Sequence, residues 1–169
     1  RLVADLLTLS RLENDTEPPR QENVDVPALL ESLLAEATAL SGGKHVIERG
    51  EVSAGKVRGS GDELRSAFGN LVSNAVRYTP SGGHIALSWR NEDGCPTFAV
   101  ADTGIGIPEV HIPRLTERFY RVDKGRSTAA GGTGLGLAIV KHVLARHGGS
   151  LLIHSELGRG SVFSARLPK

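Results

Sequence analysis

The sequence predicts an α/β fold in which a mixed sheet carries helices on one face. Segments with helical spacing of apolar residues alternate with short β-rich runs. The strand-like runs come in adjacent pairs, "GHIALSWR" with "PTFAVAD" and the two halves of "SLLIHSELGRGSVFSARLPK", as hairpins do. Helical segments fall between these pairs, so strand directions mix and the helices must bury one face of the sheet.

Taken in order, "RLVADLLTLSRLE" places Leu2, Leu6 and Leu9 beside Val3 and Leu7, a helical spacing. This predicts a truncated helix over residues 1–13 and a linker over 14–21, where Pro18-Pro19 cannot continue a helix. The main domain is expected over residues 22–169. The first helix reads either as a solvated helix packed on its own domain or as the stump of a dimerising helix. The chain opens on Arg1 and contains no Met, and is read as a piece cut from a longer protein. "VPALLESLLAEATAL" is a second helix, with Pro27 in its first turn and "SGG" as its stop. "KHVIERG" and "GKVRG" are short enough for strands. In "SGDELRSAFGNLVSNAVRY", Ser60 and Glu63 have the spacing of a capping box, and Thr79-Pro80 ends the helix. Asp93-Gly94 suits a hairpin turn, and "TGLGLAIVKHVLARHGG" is a last helix with its stop.

Composition removes several function classes. Twenty Lys and Arg face 19 Asp and Glu, so no broad basic footprint for nucleic acid is expected. No run of apolar residues is long enough to span a bilayer, and no secretory leader opens the chain. The one cysteine, Cys95, has no disulfide partner, and the six histidines lack zinc-site spacing.

Three constellations carry chemistry. In "FGNLVSNAVRYTP", Asn70, Asn74, Arg77 and Tyr78 share one helix face, beside an apolar stripe of Leu64, Ala67, Leu71 and Ala75. Two amides can simply bind a nearby loop. In the functional reading they are neutral oxygen ligands beside a cation, which suits Mg²⁺ on a polyphosphate, because that ion takes only one or two protein oxygens. In "AVADTGIGIP", Asp102 ends a strand, and Gly104 and Gly106 allow a sharp turn or the close approach of a flat ligand. The tripeptide alone reads first as a simple turn, whereas a buried carboxylate, which only accepts hydrogen bonds, would select adenine by its exocyclic amine. In "AGGTGLGLAIV", glycines at 131, 132, 134 and 136 run into a helix, whose N-terminal N–H groups form an anion site. The P-loop and dinucleotide fingerprints are both absent. Between the last two lies "RLTERFYRVDKGRSTA", with Tyr120, Arg121, Lys124 and Arg126. It is either a solvated loop or a mobile cover that reaches a nucleotide phosphate.

The order of these segments resembles the ATP-binding catalytic domain of bacterial sensor histidine kinases, in the superfamily shared with gyrase B, the Hsp90 chaperones and MutL. "NLVSNAVRYT" resembles its N box, "DTGIGI" its G1 box, "ERFYRVD" its F box and "GTGLGLAIV" its G2 box, and the resemblance as a whole covers residues 22–169. "HIPRLTERFYRVDKGRS" and "GLGLAIVKH" resemble most the phosphate-regulon branch.

The resemblance implies a two-layer α/β (α+β) sandwich of five mixed strands and three helices, the Bergerat (GHKL) fold, with an ATP lid over about residues 114–133. ATP and Mg²⁺ are then the expected ligands. By position, Asn74 is the Mg²⁺ ligand and Asn70 supports the phosphate–metal end, while Arg77 and Tyr78 line the phosphate and base regions. Asp102 would take the adenine amine, with Gly104, Gly106 and Ile107 shaping its slot. Tyr120, Arg121 and Lys124 would come from the lid, Arg121 steadying the γ-phosphate. Gly132, Thr133, Gly134, Leu135 and Gly136 would form the phosphate cradle. The leading helix resembles the end of a dimerisation hairpin.

ATP-hydrolysing members of the superfamily place a glutamate where Asn70 stands, as general base for water, and an amide cannot take that proton. The helix is therefore expected to hold Mg·ATP for a different nucleophile, a histidine on the hairpin, with relay to a response-regulator aspartate. None of His45, His84, His111, His142, His147 or His154 has the phosphoacceptor context, so the chain alone is expected not to phosphorylate itself. The parent is expected to be a homodimer at the bacterial inner membrane with this domain in the cytoplasm, and the piece a monomer. A gyrase–Hsp90-type ATPase and a degenerate nucleotide-binding module are the alternatives.

Overall fold

The computed structural model describes residues 2–122 and 132–169. Its elements are α1 (Leu2–Asn14), β1 (Glu22–Asp25), α2 (Val26–Ser41), β2 (Val46–Val52), β3 (Lys56–Gly59), α3 (Gly61–Tyr78), β4 (His84–Glu92) and β5 (Cys95–Asp102). A short 3₁₀ segment (Glu109–Arg114), α4 (Gly136–Arg146), β6 (Ser150–Glu156) and β7 (Gly160–Arg166) follow. The five-stranded sheet has the order β2-β4-β5-β7-β6. Only β2 and β4 run parallel, and the other pairs are antiparallel.

The mixed sheet and the helices over it match the expected class. The ladder between β1 and β3 was not expected, because "ENVD" is short, polar and followed at once by a helix. It is stabilised by pairing with a segment over thirty positions away, which no local pattern reveals.

Local signals explain the element ends. Asp25 caps α2 through Ala28 N–H, and Gly42 closes the helix in the left-handed region at φ 58°. Asp93 and Gly94, at φ 53° and 81°, make the primed turn that matches strand twist between β4 and β5. Only half of the capping box at α3 forms. The Ser60 hydroxyl accepts from Glu63 N–H, but Ser60 N–H donates to His147 Nε2 rather than to Glu63. The Glu63 carboxylate instead makes a two-toothed pair with Arg146, at 2.7 and 3.1 Å.

The core lies between the sheet and α2, α3 and α4. Leu30 and Leu33, then Leu64, Phe68 and Leu71, then Ile139 and Leu144 meet Ile85, Leu87, Phe98 and Val100, all at or near complete burial. Phe68 stacks on Phe98 with ring centroids 4.3 Å apart. This contact pins α3 to the middle of the sheet and aims its amide-bearing face at the far end of β5. Helix α1 docks on α4 by burying Leu9 and Leu12. Arg146 fastens the segment after α1, donating to the carbonyls of Asp15 and Glu17. No helix of the described residues is long and apolar enough to cross a membrane.

Candidate nucleotide site

One cavity opens between α3, the end of β5, the start of α4 and the segment around Tyr120, with about 1040 Å³ of space including its mouth. Asn70, Asn74, Arg77 and Tyr78 all line it, as an i, i+4 row on one helix face must once the adjacent stripe is buried. The Asn70 Nδ2 donates to the Ser66 carbonyl at 2.8 Å. A carbonyl only accepts, so this bond fixes the amide with Oδ1 on the other side, toward Gly136.

Asp102 lines the opposite wall. Its Oδ1 accepts from Gly104 N–H at 2.8 Å and from Ser161 N–H at 3.2 Å. Burial raises its carboxyl above the ordinary range, and the two backbone donors pull it back down. Gly104 lies behind the cavity and does not line it. A β-carbon there would fall 2.6 Å from the Tyr78 carbonyl and 2.8 Å from Asp102 Oδ1. Gly106, at φ 73°, passes so near β6 that a β-carbon would sit 2.2 Å from Glu156 O. These two glycines are needed for close packing of backbone on backbone. Ile107 is held in the lining by its N–H bond to Ser155 Oγ at 2.8 Å.

Tyr120 and Arg121 line the remaining side. The Tyr120 hydroxyl meets His111 Nδ1, and the Arg114 guanidinium lies 4.5 Å from its ring centroid. Arg121 Nη2 donates to the Gly132 carbonyl, and Phe119 N–H donates to the Gly134 carbonyl at 2.8 Å. These bonds join the segment around Tyr120 to the residues just before α4. Gly132, Thr133, Gly134 and Gly136 line the cavity, and Gly132 lies against the Arg77 guanidinium. Leu135, expected in the cradle, points its side chain into the core, and its N–H reaches Thr133 Oγ1 at 3.3 Å. Helix α4 has no side-chain cap at Leu135. Lys124 lies outside the described residues.

Sequence reasoning missed Ser161 and Phe163 on β7, and Ile105, Leu115 and Leu137, all of which line the cavity. Ser161 stands opposite Asp102 across the β5–β7 ladder and bonds Ser155 Oγ at 2.7 Å. That pairing joins strands far apart in the chain, so only the "GSVF" strand itself was readable.

Residues 59–169 match the model of the histidine kinase-, DNA gyrase B- and HSP90-like ATPases. The chain belongs to that family. Among similar curated kinases of this family are the phosphate regulon sensor protein PhoR of Pseudomonas aeruginosa and the sensor-like histidine kinase SenX3 of Mycolicibacterium smegmatis. The first is 51% identical over 96% of this chain and 37% of its own length. The second is 40% identical over 99% of this chain and 44% of its own length. The chain thus spans about two fifths of these relatives. Among solved structures, full-length ShkA in complex with AMPPNP superposes with a TM-score of 0.87 at 30% identity, over 99% of this chain and 35% of that one.

Proposed function

We propose that this chain is the nucleotide-binding half of a sensor histidine kinase that holds Mg·ATP and delivers its γ-phosphoryl group to a histidine on a separate dimerisation hairpin. On this reading residues 1–13 end that hairpin, 14–21 link, 22–169 bind nucleotide, and about 114–133 cover it. The observation that carries the proposal is the Asn70 carboxamide, fixed by Ser66 with its oxygen turned to the start of α4.

The residues divide the work along the cavity. Asp102 accepts the adenine amine, with Gly104, Gly106 and Ile107 setting the slot and Tyr78 and Tyr120 flanking it. The triphosphate runs toward α4, where the N–H groups of Gly134 and Gly136 and the helix dipole favour an anion, while the Leu135 N–H is taken by Thr133 Oγ1. Arg77, Arg121, Gly132 and Thr133 surround that end, and the phosphate role of Lys124 rests on the family resemblance alone. Asn74, with Asn70 beside it, holds Mg²⁺, a hard cation suited to amide oxygen. When bound, the ion neutralises phosphate charge. An imidazole nitrogen of the hairpin then forms a bond to the γ-phosphorus while the bond to the bridging oxygen breaks, and ADP leaves. Asn70 takes no proton, so water in the same place is not activated, and Arg121 balances charge on the transferring group.

The wider reading is a homodimeric parent at the bacterial inner membrane, with this domain in the cytoplasm and a response-regulator aspartate as final acceptor. Phosphate sensing is the response supported by the PhoR relative. Calorimetric titration tests the binding step. ATP and ADP should bind in an Mg²⁺-dependent manner and GTP should not; equal affinity for GTP would contradict the role of Asp102.

A further inference from the structure

We propose that His45, outside the cavity and outside every family segment quoted above, is a positioning residue for the adenine-facing wall. The inference rests on the nucleotide-site reading and assigns one of its supports.

His45 stands between α2 and β2, and both ring nitrogens are engaged. Nε2 lies 2.6 Å from the Thr79 carbonyl, which only accepts, so Nε2 carries the hydrogen. Nδ1 lies 2.9 Å from Ser41 Oγ. With the hydrogen on Nε2, Nδ1 of the neutral ring accepts from that hydroxyl, which itself accepts the His45 backbone N–H at 2.9 Å. The chain of bonds closes without a spare donor. Ser41 is buried at the end of α2, so the imidazole is held at a fixed height.

The far end of this chain is the wall of the slot. Thr79 is buried and extended, the residue at which α3 stops. Its hydroxyl is buried and has no hydrogen-bond partner among the described residues. A β-carbon on Gly104 would come 2.6 Å from the Tyr78 carbonyl and 3.2 Å from Thr79 Oγ1. The Tyr78 carbonyl and the Thr79 side chain therefore lie against Gly104, whose N–H is held by Asp102. Ile105 N–H donates to the Tyr78 carbonyl at 3.3 Å, so the same two residues carry the glycine turn. Two more bonds, Gly82 N–H to Lys44 O and Val46 N–H to Gly83 O, tie the turn after Thr79 to the residues flanking His45. Movement of Thr79 has no slack to absorb it before it reaches Asp102.

The test compares His45→Ala, His45→Asn and His45→Gln in the whole chain, measuring ATP and ADP dissociation constants and thermal midpoints. The Gln amide can reach the Nε2 position and donate to Thr79, whereas the Asn amide stops near Nδ1. Ala and Asn should weaken ATP and ADP alike by roughly three- to tenfold, the factor one hydrogen bond supports. Their ATP-to-ADP ratio should stay unchanged, because the phosphates bind at the other end. Gln should recover most of the affinity. If Ala lowers the midpoint while the folded protein keeps its dissociation constants, the imidazole is structural only and the proposal is overturned. A change confined to ATP, or failure of Gln where Asn succeeds, overturns it as well. If wild type binds neither nucleotide, the reading of the site itself fails and this inference falls with it.

Discussion

Asn70 and Gly136 face each other so closely that a β-carbon on Gly136 would stand 2.9 Å from Asn70 Oδ1. One residue lies on α3 and the other opens α4, so this approach sets the width of the cavity where the triphosphate is assigned.

A side chain at 136 should therefore act on ligand and fold in opposite ways. Gly136→Ala adds a better helix former, worth up to about 1 kcal/mol, while pushing the Asn70 oxygen aside. Mg·ATP affinity should fall by about tenfold with the thermal midpoint held or raised, as calorimetry and thermal melts of the same preparation would show.

Asn70→Asp tests the orientation of the amide. A carboxylate cannot donate to the Ser66 carbonyl, so two acceptors would face each other where a bond of 2.8 Å now stands. The loss should cost about 1–3 kcal/mol in urea unfolding, and the added charge should weaken ATP beyond what stability explains. Unchanged stability would mean that the Ser66 bond does not hold the amide.

Asp102 gives a prediction in pH. Burial raises its carboxyl in the folded chain, so the folded state keeps the proton to higher pH than the unfolded one. Stability from this group is full below the ordinary carboxylate value and is lost as pH rises through the raised one. Asp102→Asn should remove that slope. It keeps an acceptor for Gly104 and Ser161 N–H and should leave stability at neutral pH within about 1 kcal/mol of wild type or above it. Adenine affinity should nevertheless drop, and urea titrations at several pH values alongside ATP binding measure both effects.

Arg146 anchors the segment after α1. Its side chain is 12% exposed and its partner Glu63 14%, and it also serves two carbonyls. Arg146→Ala leaves a half-buried carboxylate without its guanidinium partner, which costs about 1–3 kcal/mol. The urea midpoint should shift accordingly, and amide exchange should rise in α1 and in the first turn of α3.

Much of this architecture is written in local pattern. The end of α3 follows from Thr79-Pro80, the β4–β5 turn from Asp93-Gly94, and the amide row from helical spacing alone. What escaped depends on partners distant in the chain. The polar "ENVD" becomes a strand only against β3. Glu63 has capping-box spacing, yet Arg146, 83 positions on, offers its carboxylate a two-toothed guanidinium, and His147 takes the bond left open at Ser60. Ser161 enters the site only because β7 pairs with β5. In each case a long-range contact outweighs the local rule that the sequence displays.

The most direct test supplies the isolated chain with Mg²⁺ and ATP labelled at the γ-phosphate, first alone and then with a hairpin domain from a sensor kinase carrying the phosphoacceptor histidine. The account requires bound nucleotide that stays intact in the first arm, with no sustained phosphate release and no label on the chain, and label on the hairpin in the second. Continuous phosphate release by the chain alone, or stable label on it, would contradict the role given to the Asn70 amide.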